Sequence, residues 1–336
     1  NANGVLYFTA TNGTNGRELW RLDPASGLPI LVGDLRPGSS GSNPENFRVS
    51  GSSLFFVADD GSSGRELWEI NLLTGASRII DIRAGAEASS PSSLIDVNGT
   101  LYFTADDGIN GRLLYKVDPT TGSPVAIPGS SSLDSFRVVN QQLFFRHTWY
   151  VGDTYRPLGT IDPTTGELKS FANTSYISEL TNVNGTLYFQ SYSGSTGDEL
   201  YRFDQATQTA ALIDVVAGSG SSSPSNFREV GGTLYFTASN SSNGTELWKL
   251  TADGSPQLVK DIRSGSGSSN PSSLFEFGGH LYFTADNGIN GRELWRSDGT
   301  AEGTVLAKDI NERSPDSSPS SLIDVNGTLY FTADDG

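Results

Sequence analysis

The chain has 336 residues, with 38 Asp and Glu against 22 Lys and Arg, two His, no Cys and no Met. A formal charge of −16 argues against the basic patches that hold nucleic acid or anionic lipid. The lack of Cys excludes disulfides, thiol catalysis and thiolate metal sites, and no apolar run approaches the roughly 20 residues of a spanning helix, so no direct membrane insertion is expected.

The chain opens Asn1-Ala2-Asn3 without an initiator Met, so a processed or excised segment is expected. At Asn3 begins a phrase that returns along the whole chain, N-G-x-L-Y-F-T-A-D-D-G-x-x-G-R-E-L-W. Its leading Leu stands at Leu6, Leu54, Leu101, Leu143, Leu187, Leu234, Leu281 and Leu329, in steps of 42 to 48 residues. A second phrase, D-I-R-x-G-x-x-S-S-x-P-S-S-L, is loose at Asp34 to Phe47 and clear at Asp81 to Leu94 and Asp261 to Leu274.

The third period shows the elements best. Strands are expected at Ser93 to Val97, Thr100 to Ala105, Arg112 to Asp118 and Val125 to Ile127, rich in Leu, Tyr, Phe and Val. Asn98-Gly99, Asp106-Asp107-Gly108 and the Asp118 to Gly122 turn separate them at hairpin spacing. The sequons at Asn98, Asn173, Asn184, Asn243 and Asn326 are read first as turns. Leu101 to Ala105 carries bulk on both faces, as a strand between two stacked sheets would. Four-stranded units of this length predict an all-β β-propeller of seven blades spanning 1–336 as one domain, with a partial eighth unit at 329. Eight blades or an open repeat array are the alternatives.

Trp20, Trp68, Trp248 and Trp295, with Tyr115 and Tyr201, hold one register, which points to packing between blades. The Asp-Asp-Gly loops repeat as well. Asp59, Asp60, Asp106, Asp107 and Asp286 are candidate Ca²⁺ ligands, because a hard cation takes carboxylate and carbonyl oxygens. No other cofactor is expected. The competing reading is an Asp-Gly turn paired with Arg65, Arg112 or Arg292, six residues on. Alternating strand directions put these loops beside the Ser-rich crossovers.

Leu143 to Gly166 departs from the repeat and loses E-L-W. It gathers His147, Trp149, Tyr150, Asp153, Tyr155 and Arg156, a candidate ligand strip suited to sugar stacking or peptide capture. Drift in a middle blade is the plainer account. No G-x-S-x-G, H-E-x-x-H or Walker A string occurs, so no catalytic residue is assigned and an enzyme is not expected.

Glu293 to Thr300, Glu-Leu-Trp-Arg-Ser-Asp-Gly-Thr, resembles a complete instance of the bacterial ELWxxDGT repeat family, and the resemblance covers nearly the whole chain. The Asp-Pro turns at Asp23, Asp118 and Asp162, and Ala58 to Trp68, look like the turns and tryptophan-docking motif of quinoprotein-like propellers. The resemblance implies an extracellular or cell-surface propeller module without an established reaction. The expected role is therefore a non-catalytic structural or adhesive module of a bacterial surface protein or fibre. Its partners would be copies of itself or other surface proteins. A lectin-like, glycan-binding propeller is the alternative, and a quinoprotein-like dehydrogenase or glycosidase comes third.

The chain closes on a second-strand sequence, Thr328 to Ala333, like the one it opens with. Ser320 to Val325 is expected to complete the first blade, leaving Leu329 to Gly336 without an internal slot.

Overall fold

The computed structural model describes residues 1–147, 157–162, 165–171, 174–312 and 316–336. Two compact units are distinguished, Asn1–Trp149 with Gly159–Lys169, and Tyr150–Leu158 with Ser170–Gly336. Among the described residues there is no α-helix, and no helix long and apolar enough to cross a membrane.

In the first unit the chain builds a three-stranded sheet from Tyr7–Thr11, Arg17–Leu22 and Pro29–Gly33. The second sheet is four-stranded: Glu45–Ser50, Ser53–Asp59, Arg65–Asn71 and Ser77–Ile80. The third consists of Ser92–Val97, Thr100–Asp106, Arg112–Val117 and Pro124–Ala126, within one or two residues of the expected bounds. The fourth holds Leu133–Val139, Gln142–His147, Leu158–Ile161 and Leu168–Phe171.

The second unit repeats the pattern. Its fifth sheet is Ser178–Val183, Thr186–Ser193, Gly197–Asp204 and Thr209–Ile213, and its sixth Ser225–Val230, Thr233–Asn240, Gly244–Leu250 and Pro256–Lys260. The seventh is Ser272–Phe277, His280–Asp286, Arg292–Ser297 and Val305–Lys308. A hairpin of Ser320–Val325 and Thr328–Thr332 ends the series.

Each complete sheet is an antiparallel meander, and within each unit the first strands of successive sheets lie side by side, as in the second and third or the fifth, sixth and seventh. Arg48 Nε, for instance, donates to the Leu94 carbonyl at 2.9 Å. Radiating four-stranded meanders joined at their first strands are the blades of a β-propeller. Every complete blade with a fully described ladder bulges in its first strand, as between Ser92 and Ile95. A non-glycine residue there, such as Ser93 at φ 53°, takes the left-handed conformation that such a bulge needs.

The strand alternation gives each blade two packed faces. Leu101, Phe103 and Ala105 of the third blade meet Phe55, Val57 and Leu67 of the second. Leu281, Phe283 and Ala285 of the seventh meet Tyr235 and Leu247 of the sixth in the same register. Phe56, Phe103, Phe236 and Phe283 are wholly buried in these layers, where deleting a ring costs about 3–5 kcal/mol.

The ends differ from expectation. Ser320–Val325 pairs with Thr328–Thr332, Ile323 opposite Tyr330. The local Asn326-Gly327 turn, with Asn326 at φ 52°, closes the hairpin on itself. Leu329 and its neighbours therefore do have a partner strand. Pro319 to Gly336 repeats Pro91 to Gly108 residue for residue over 18 positions. The environments are unlike: Phe103 is 0% exposed and its counterpart Phe331 36%, Val97 9% and Val325 45%.

Candidate functional site

The Asp-Asp-Gly loops do lie beside the crossovers. The N–H of Asp59 donates to the Ser42 carbonyl, that of Asp106 to Ser89 and that of Asp286 to Ser269. Their carboxylates are already engaged by the backbone. Asp59 accepts from the Gly61 N–H, Asp106 from Gly108 and Asp286 from Gly288, while Asp60 and Asp107 each accept from two successive N–H groups. Asp107 is held down at about 2 by these bonds, that from Asn110 first. The ion pairs come from the crossover and not from the Arg six residues on: Arg36 meets Asp59 at 2.8 Å and Arg263 meets Asp286 at 2.7 Å. Arg65 turns instead to Glu45, and Arg112 and Arg292 to a hydroxyl of the first strand and a carbonyl of the crossover before it. Among the described residues no three carboxylate or imidazole groups converge as a metal would require. The five Asp side chains are held in their turns by these backbone bonds.

The glutamate of E-L-W, whose role the repeated phrase does not reveal, is a buried clasp. Glu18, Glu66, Glu199, Glu246 and Glu293 are 0% exposed. Each accepts the N–H and the hydroxyl of a crossover serine, respectively Ser42, Ser89, Ser222, Ser269 and Ser317. A third bond arrives from just past the fourth strand, as from Ile82 to Glu66 at 3.0 Å. Burial raises the pKa of Glu66, Glu199 and Glu246 above the usual carboxylate range against these bonds. The tryptophans pack as expected, and Trp20, Trp248 and Trp295 donate Nε1 to the alanine carbonyls of the second strand.

Of the mid-chain strip, Trp149, Tyr150, Asp153, Tyr155 and Arg156 lie outside the described residues. His147 is 2% exposed, packs edge-on against Phe145 at 5.3 Å, and is held neutral by burial, its pKa pushed down to about 4. A Cβ at Gly159 would come within 2.7 Å of its Nε2. It is a core residue, because it ends a strand buried between sheets.

Among the described residues, open concave surfaces lie between neighbouring blades at the turns opposite the Asp-Asp-Gly loops. A cleft of about 320 Å³ opens between the fifth and sixth blades, lined by Tyr188, Arg202, Gly232, Thr251, Asp253 and Gly254. One of about 270 Å³ lies between the second and third, and one of about 160 Å³ between the third and fourth. A tyrosine opposite a cation recurs at this register: Tyr7 and Arg21, Tyr102 and Lys116, Tyr188 and Arg202, Tyr235 and Lys249, Tyr282 and Arg296. The signal was present in the sequence as the Tyr of L-Y-F and the Arg or Lys after E-L-W.

No family model matches the sequence, and no curated protein matches it. Solved structures do. The chain is similar to a prolyl endopeptidase (14% identity over 98% of this chain and 52% of that one, TM-score 0.48) and to Porphyromonas gingivalis dipeptidyl peptidase 4 (11%, 92% and 53%, TM-score 0.51). The β-propeller domain of the trilobed protease from Pyrococcus furiosus is matched at 12% identity over 93% of this chain and 94% of that one, TM-score 0.42. The chain spans about half the length of the first two. At such identities the likeness concerns the fold. The expectation of a structural or adhesive module of a surface protein or fibre, with its lectin-like alternative, is corrected: a dipeptidyl peptidase stands among the matched chains, and nothing in the matches supports an adhesive role.

Proposed function

We propose that this chain is a recognition propeller that holds small polar molecules in the clefts between its blades. The observation that supports this is the tyrosine and cation pair repeated at the cleft register, with a 320 Å³ opening where it stands in the fifth blade. Clefts of this size, with a few convergent polar groups, suit small ligands. Among the described residues, the recurring carboxylates of the E-L-W and Asp-Asp-Gly phrases are engaged in holding the scaffold. Membership in the ELWxxDGT family and an extracellular location belong to the same proposal. The test is a nuclear magnetic resonance screen of amino acids, short peptides and organic acids against the full chain. Saturable shifts at cleft residues are expected; a screen that leaves every cleft unmoved at millimolar ligand overturns the reading.

A further inference from the structure

We infer that the cleft between the fifth and sixth blades is a site for an α-carboxylate, held by the Arg202 guanidinium and the Tyr188 hydroxyl. The inference rests on the recognition role proposed above and names its ligand.

Tyr188 and Arg202 are directly opposite in the ladder between the second and third strands, so both side chains leave the blade on the face that meets the sixth. At the corresponding place one blade on, Lys249 Nζ donates to the Gly299 carbonyl at 2.8 Å, and a Cβ at Gly299 would lie 2.3 Å from the Tyr235 hydroxyl. Between the second and third blades the cation is Arg78, which donates to the Gly122 carbonyl at 2.8 Å and pairs with Glu69. In both, the neighbouring turn supplies the acceptor. The Arg202 guanidinium has no hydrogen-bonding partner among the described residues, and its Nη1 lies 3.8 Å from where a Cβ on Gly254 would sit, beside the opening. A planar guanidinium matches a carboxylate bidentately, and such charge-assisted bonds are the strong ones. Burial raises the Tyr188 pKa, which keeps its hydroxyl a donor at neutral pH.

The opposite side of the cleft is built for close approach. Gly254 turns at φ +83° and presents no side chain, whereas Gly232, at the same φ, is covered by the Asn184 amide, which donates to its carbonyl at 3.2 Å. Asp253, on the same rim, is fixed by the Thr251 hydroxyl and the Ser255 N–H, and these bonds lower its pKa, so it stands as an anion facing the same space. A cation and an anion on one small cleft suit a ligand with a carboxylate at one end and an N–H or ammonium at the other. A free amino acid and a peptide C-terminus share that chemistry.

Calorimetric titration of the full chain with L-alanine, N-acetyl-alanyl-alanine, its C-terminal amide and inorganic phosphate tests the site. Saturable binding of at least one free carboxylate is expected, with no binding of the amide, and a tenfold or greater loss in Arg202→Gln at an unchanged melting temperature. Tyr188→Phe should weaken binding severalfold. Asp253→Asn then separates the sources: weakened alanine binding marks a free amino acid, and preserved binding of the acetylated peptide marks a C-terminus. Equal binding of acid and amide, binding of phosphate alone, or an Arg202→Gln variant that binds like the parent overturns the inference. If neither carboxylate binds while another compound shifts cleft residues, this ligand assignment falls and the recognition role stands.

Discussion

Ser89 donates both its backbone N–H and its hydroxyl to the carboxylate of Glu66, 23 residues earlier in the chain. The two bonds fasten the crossover that leads into the third blade onto the third strand of the second. Four other blades carry the same fastening, so it belongs to the repeat.

Replacing Glu66 by Gln keeps the shape and removes an acceptor, leaving an NH₂ group to face either the Ser89 or the Ile82 N–H. Denaturant unfolding should show a loss of about 1–3 kcal/mol, the cost of an unsatisfied buried group. A variant as stable as the parent would mean that the clasp is not a stabilising element.

Acid and alkali act on the fold through different groups. Burial raises the pKa of Glu66, Glu199 and Glu246, so the folded state holds their protons longer than the unfolded chain, and this contribution falls as pH rises through the raised values. His147 has the opposite sign: its pKa is pushed down to about 4, so the unfolded chain takes the proton first and stability falls as pH drops from about 6.5 to about 4. The His147 contribution has a limiting slope of about 1.4 kcal/mol per pH unit. His147→Asn should flatten the stability profile between those pH values, whatever it does to stability at neutral pH; an unchanged slope contradicts the assignment.

Calcium should leave the protein unmoved. With Asp59, Asp60, Asp106, Asp107 and Asp286 each accepting backbone N–H bonds, melting curves in millimolar Ca²⁺ and in chelator are expected to coincide. A rise of several degrees in Ca²⁺ would show that the loops rearrange around the ion.

Two tryptophans in one register make a matched comparison. Trp248 donates Nε1 to the Ala238 carbonyl at 3.1 Å, whereas the buried Nε1 of Trp68 has no acceptor among the described residues. Both are 8% exposed. Trp248→Phe should therefore cost about 1 kcal/mol more than Trp68→Phe in chemical denaturation, since only the first breaks a hydrogen bond. Equal losses would place the whole effect in packing.

The strands, their turns and their two packed faces were legible in sequence because they are local: alternation in Leu101 to Ala105 and the Asn-Gly turns need no distant partner. The clasp was not. A glutamate beside Leu and Trp reads as the solvent-facing member of an alternating strand, and its serine arrives 23 residues later. The ion pairs misled for a related reason. Arg65 is indeed opposite Asp59 in the ladder, but its side chain crosses to Glu45, while the crossover brings Arg36 over the loop. His147 stood in a strip read as a ligand candidate, and its burial is set by the strand it ends. The cleft pair was visible as a repeated Tyr and a repeated cation, and only the ladder register shows that they are opposite one another.

The repetition of Pro91 to Gly108 at Pro319 to Gly336 sets a problem for the chain while it folds. Both copies carry the same apolar side chains, and none tells them apart. Phe55 lies 46 residues from Leu101 and 274 from Leu329, a difference in loop-closure entropy worth only about 1.6 kcal/mol. The strand next to each copy in the chain differs: the first copy runs straight into Arg112–Val117, which pairs with Thr100–Asp106. Identity between repeats, which gives the blades their common geometry, thus also sets up a kinetic contest that chain order decides.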